Sequence, residues 1–214
     1  MTNDLTIRHD LSTYQAFADT ASASAIAGDL LTFAKGRWRS GEEKAPVPPE
    51  ARFVVNMDEM WTGWVRWFNR KPVEHRINRV SDGIPAPSRS DLGHTDPEVW
   101  ETDMQGNPRD PWAPTFRIIM RGEISGDLFT FSSSSHGGKD ALAKLAGAYA
   151  KGAPKHPRQF PVVTLGTETY DHDVYGEVAK PSFKIVGWAS WGGEVGSAAP
   201  MLDDDVPFAP EWRA

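Results

Sequence analysis

From Ala51 onward, apolar residues recur at every second position, the spacing of a strand with one buried face. Residues 51–56 (ARFVVN), 60–68 (MWTGWVRWF) and 72–80 (PVEHRINRV) read as strands. In the second of these, Trp61, Gly63, Val65 and Trp67 face one way, and Thr62, Trp64, Arg66 and Phe68 face the other. Asn69-Arg70-Lys71-Pro72 has turn chemistry and closes a hairpin. Residues 115–122 (TFRIIMRG) and 127–133 (DLFTFSS) form a second hairpin, and 161–170 and 181–190 close the set. Residues 30–34 (LLTFA) read as a first strand or a docking segment, followed by the basic-aromatic stretch Lys35-Gly36-Arg37-Trp38-Arg39.

The period changes to 3.6 only once. Ala141, Leu142, Leu145, Ala148 and Tyr149 line one helical face, with Ser134 or Ser135 placed to cap. Pro154 and Pro157 stop the helix near Gly152. Residues 81–114 hold six prolines and read as a long excursion with at most a helical turn near Pro97–Trp100. The inventory predicts a mainly β (α+β) chain: an OB-like antiparallel β-barrel with one helix in the middle of the strand order. A β-sandwich with an inserted helix fits nearly as well. The expected division is an N-terminal arm at 1–28, a β domain at 29–191 and an acidic disordered tail at 192–214.

The 214 residues suffice for one core, and the absence of Cys excludes disulfides, thiolate metal sites and Cys nucleophiles. A cysteine-free chain without a long apolar run or a signal-peptide pattern is expected in the cytoplasm and not in a membrane. Charge changes the picture more. The net −6 hides two acidic pieces, 81–114 with seven acids against two bases and 189–214 with five against one. Residues 51–80 carry six bases against three acids, and 115–188 carry nine against seven. The segments that read as folded are therefore basic, which keeps a nucleic-acid partner open despite the whole-chain pI.

Three constellations bear on chemistry. Trp64, Arg66, Phe68, Arg70, Lys71 and Arg76 lie on or beside one hairpin; Phe129 and Phe131 share a strand face; Lys151, Lys155 and Arg158 follow the helix with Tyr149. Rings that stack bases and cations that neutralise phosphates are what sequence-independent binding of single strands needs. The Trp64, Arg66 and Phe68 face carries the charge and is the expected wet side, and these groups are expected to converge on one open channel. Lys139, in Ser-His-Gly-Gly-Lys at the helix start, offers one more phosphate contact, although the spacing is not that of a nucleotide-hydrolysing loop. Asp171-His172-Asp173 reads as a polar turn, and neither a catalytic constellation nor a cofactor is expected.

Near the C-terminus, Asp203-Asp204-Asp205-Val206-Pro207-Phe208 follows a Gly, Ser, Ala and Pro stretch. It resembles the acidic tail tip of bacterial single-stranded DNA-binding proteins. That resemblance implies an OB-fold body on DNA and a tail that docks on replication, recombination and repair enzymes. In that family the terminal Phe carboxylate is part of what is read, whereas here Ala-Pro-Glu-Trp-Arg-Ala follows Phe208. The stretches GWVRWFNRKPVEHRI, DLGHTDPEVWE, PRDPWAPTFRIIM, SSHGGKDALAKLAGAYAK and FKIVGW resemble an uncharacterised family of tailed-phage and prophage proteins. Together these predict a non-enzymatic single-stranded DNA-binding protein of phage replication or recombination, possible as a homo-oligomer. The alternative is a phage inhibitor or adaptor of a host defence or replication protein that binds no DNA and acts through its acidic surface.

Overall fold

The computed structural model describes residues 26–103, 105–172 and 176–192. The strands are β1 (Asp29–Ala34), β2 (Arg37–Ser40), β3 (Ala45–Pro46), β4 (Arg52–Phe68), β5 (Lys71–Arg79), β6 (Trp112–Gly122), β7 (Leu128–Ser133), β8 (Phe160–His172) and β9 (Gly176–Ala189). Helix α1 (His136–Gly152) lies between β7 and β8, starting and stopping where its caps predict. Ser135 Oγ accepts from the Gly138 N–H, and a 3-10 turn at Ala153–Lys155 follows. The chain is mainly β with one helix among the described residues, and none there is long and apolar enough to cross a membrane.

The sheet runs β3-β2-β1-β7-β6-β4-β8-β9, with β5 also on β4. Two expectations are corrected here. The sheet is not closed into a barrel, so the OB-like barrel is not formed, and β1 pairs with β7 in parallel rather than antiparallel. The reason for the first lies in β4. One of its edges follows β6, while the other is divided between β8, at Arg52–Val54, and β5, at Trp61–Phe68. No ladder joins β2 to β8 among the described residues. Side chains bridge that seam instead: Trp38 Nε1 donates to Gly166 O at 2.8 Å and Thr167 Oγ1 to Gly36 O at 3.1 Å.

β4 also merges two strands expected to be separate. Asp58 and Glu59, which break the apolar alternation, sit in an irregularity of the β4–β6 register between Asn56 and Met60. The bulge absorbs the polar pair and strand pairing resumes. The core gathers Leu31, Trp38, Val55, Ile118, Met120 and Val163 with Leu142 and Leu145 of α1. Each fully buried aliphatic side chain contributes about 1.5–3 kcal/mol. At Gly152 a Cβ would run into the Trp188 ring, so the end of α1 meets β9 only through glycine.

Candidate nucleic-acid interface

The β4–β5 hairpin pairs Trp61 with Arg79 at its base and Phe68 with Lys71 at its tip, leaving the two-residue turn Asn69-Arg70. Both turn residues have positive φ, 51° and 63°, the mirror-image turn that matches strand twist. Asn tolerates that conformation and Arg tolerates it poorly. The Asn69 N–H is held by the Glu101 carboxylate at 2.8 Å. At this tip Phe68 is 55% exposed and Arg70 and Lys71 are exposed. Among the described residues neither cation forms an ion pair.

Further down, Arg66 and Arg76 bracket Glu74, with Arg66 Nε at 3.1 Å and Arg76 Nη2 at 2.8 Å from its oxygens. Desolvation pushes the Glu74 carboxyl up, but the hydrogen bonds from both arginines outweigh it and hold it below the usual range. These two predicted phosphate contacts therefore already share a carboxylate.

Trp61, Gly63 and Val65 are buried, whereas Trp64 and Arg66 are half-buried, so the expected wet side is the less buried one. It is still not open. Through the ladder to β6, Trp64 (opposite Pro114) lies on the face of Met60 (opposite Ile118) and Val55 (opposite Met120). The core face of the sheet thus runs on past α1, and the excursion after β5 is what covers it. Trp64 Nε1 donates to Pro87 O at 2.9 Å, and Asn78 Nδ2 to Pro85 O at 3.1 Å.

The excursion is ordered around Arg89. Its guanidinium binds both Asp110 oxygens, at 2.7 and 2.8 Å, and the carbonyls of Gly93 and His94 at 2.8 and 3.0 Å. Three 3-10 turns shape it, at Val80–Asp82, Arg89–Leu92 and Pro97–Val99, the last being the turn expected. Of its seven carboxylates, five are tied inward. Asp91 binds Ser88, Asp96 the Glu98 N–H, Glu101 the Asn69 N–H, Asp103 the N–H groups of Gln105 and Asn107, and Asp110 binds Arg89. The acidity of this segment is wiring as much as surface.

Two predicted rings are elsewhere. Phe131 is 2% exposed in the core, its ring 5.1 Å from Trp38, and Phe129 is half-buried edge-on to Phe53. They share a face of β7 as expected, but it is the core face, because β7 lies between β1 and β6 in the middle of the sheet. Lys139 is exposed in the first turn of α1 with Nζ 5.8 Å from the Phe116 ring. The glycines before it answer to packing: a Cβ on Gly137 or Gly138 would run into Lys180 or Ser133.

Lys151, Lys155 and Arg158 are exposed around the end of α1. Between them lies a pair that the sequence reading missed. His156 stacks on Trp188 at 4.4 Å with 10° between planes, and Tyr149 stands 6.0 Å from the same indole. The available signal was Gly152, the one helix position that lets the indole approach. Burial, with the Asp58 charge nearby, pushes the Tyr149 hydroxyl up, which places the β4 bulge beside this cluster. Ten strand residues separate Asp58 from Phe68, roughly 30 Å. Among the described residues, the exposed predicted ones without a carboxylate partner thus gather at the hairpin tip and around the end of α1, with Lys139 apart at the helix start, rather than along one channel.

The residues expected to bind a partner, Asp203, Asp204, Asp205, Val206, Pro207 and Phe208, lie outside the described residues, as do Asp173 and most of the N-terminal arm. The chain leading to them is pinned at Trp191, whose carbonyl accepts from Arg121 Nε at 3.2 Å and whose ring meets Phe160 edge-on. No protein-family model, curated protein or solved structure matches this chain.

Proposed function

We propose that the protein binds single-stranded DNA in the cytoplasm of a phage-infected or prophage-bearing bacterium, in replication or recombination. The tip of the β4–β5 hairpin is its primary contact. Phe68 offers a base a stacking surface, Arg70 and Lys71 take the flanking phosphates, and Lys151, Lys155 and Arg158 form a second phosphate station. The acidic tip at 203–208 would then recruit a replication or recombination enzyme. The observation that carries this reading is the tip itself: an exposed ring beside two exposed cations that form no ion pair among the described residues, one of them held in a left-handed backbone conformation that disfavours it. Strain at an exposed turn is commonly retained for function.

Titration with oligo-dT, followed by tryptophan fluorescence, tests it. Quenching at low salt and an affinity that falls steeply with salt are expected. No quenching, or indifference to salt, overturns the reading. The folded state of the acidic excursion favours a second reading, a docking surface for a basic partner. Asp82 and Glu98 are its carboxylates without a hydrogen bond among the described residues. Reversing both charges would weaken such a partner and leave DNA affinity unchanged.

A further inference from the structure

The excursion is bound firmly to itself and loosely to the sheet. Within it, Arg89 makes four hydrogen bonds, Trp100 Nε1 donates to His94 O at 2.7 Å, and Thr102 bridges to Pro108. Toward the sheet, the described residues of 85–111 make five hydrogen bonds: the Trp64 and Asn78 side chains donate to Pro87 O and Pro85 O, the Asn69 N–H to Glu101, and, where the segment rejoins β6, the Trp67 N–H to Pro111 O and the Trp112 N–H to Asp110. None of its 3-10 turns buries a residue, and Ile84 and Val99 are 60% and 73% exposed. A segment with so little buried apolar surface opens at low cost. Gly83, at a φ of 68° and with open space around it, supplies a pivot where the segment leaves the sheet.

Beneath it lies a strip with the right chemistry for a base. Trp64 sits between Pro114 and Arg76 in register, and two residues along β6 the Phe116 ring has Lys139 above it. We infer that the described residues of 85–111 (85–103 and 105–111) are a displaceable cover that swings away as a unit and exposes Trp64 as a second stacking position for a single strand gripped at Phe68. This inference rests on the proposed reading and adds regulation to it: the closed cover lowers apparent affinity by the fraction of molecules that are open.

The Trp64 indole N–H reports the cover directly. In protein labelled with nitrogen-15, its signal is assigned by its loss in Trp64→Phe, and saturating oligo-dT is expected to shift it and speed its exchange with solvent. Arg89→Ala, which loosens the cover, is expected to tighten oligo-dT binding by roughly fivefold. Trp64→Ala in that background is expected to remove the gain. If wild-type protein binds oligo-dT in a Phe68-dependent way while the Trp64 signal stays unmoved at saturation, the cover is only structural and the inference falls alone. If neither wild type nor Arg89→Ala binds, the DNA reading falls with it.

Discussion

Two hairpins of this molecule begin from nearly the same local chemistry. β1 and β2 are joined by Lys35-Gly36, and β4 and β5 by Asn69-Arg70; all four residues have positive φ. Each turn has an aromatic residue and cations beside it, Arg37-Trp38-Arg39 in one and Phe68 with Arg70-Lys71 in the other. Their fates are opposite. Trp38 is 7% exposed, with the rings of Phe33, Phe131 and Phe183 at 5.3, 5.1 and 5.5 Å and its N–H on Gly166 O. Phe68 projects from the tip. What separates them is tertiary: the sheet curls until β2 faces β8, whereas β4 and β5 run on beyond the core. Aromatic-plus-cation is therefore an ambiguous signature, resolved by whether a second layer reaches the ring.

The sharpest way to break the comparison is to truncate both rings. Trp38→Ala is expected to cost about 3–5 kcal/mol in urea denaturation, because it empties the centre of the aromatic cluster and unties the seam. Phe68→Ala is expected to change stability by no more than about 0.5 kcal/mol. It should still weaken oligo-dT binding by about 1–3 kcal/mol, the worth of one stacked base. A Phe68→Ala protein that unfolds early, or one that binds undiminished, would show the second ring to be structural after all.

Periodicity carried most of the fold and only part of the site. Most of the strands, the helix and its cap were legible because each rests on local chemistry, such as Ser135 at the helix start or the alternation of 60–68, whereas the short β2 and β3 were not read as strands and β4 was read as two. The open sheet was not legible, since it depends on β4 dividing one edge between two partners. The same holds for Phe129 and Phe131. Their alternation is that of any half-buried strand, and only the strand order puts β7 in the middle. The excursion read as an acidic loop because composition cannot tell a solvated carboxylate from one capping a turn, as Asp96 does.

Acid offers a gentler way to separate the hairpins. Only the longer one contains a histidine, His75, opposite Val65. Burial, reinforced by the Arg117 guanidinium, holds its imidazole below the ordinary range. The unfolded chain therefore takes up this proton first. The stability contributed by neutral His75 is complete above about pH 6.5, declines as pH falls toward the folded value and levels off below it. His75→Gln is expected to flatten that part of the pH dependence of the urea midpoint. An unchanged slope would mean that the ring titrates as if in water.

The smallest effect tests the turns themselves. Gly36 occupies the second turn position of the β1–β2 hairpin at φ 74°, where Arg70 sits at 63° in the other. Arg70→Gly relieves left-handed strain but loosens the unfolded chain, and the balance is a gain of roughly 0.5–1 kcal/mol. For a chain of this size that raises Tm by about 1–4 °C. The same change removes one phosphate contact, so the slope of log affinity against log salt should fall by about one unit. Stability and binding would then move in opposite directions from a single substitution, which is the signature of a residue kept for its charge against the preference of its backbone. If Arg70→Gly instead destabilises the hairpin, Arg70 has a structural partner and the tip loses its claim to be the contact.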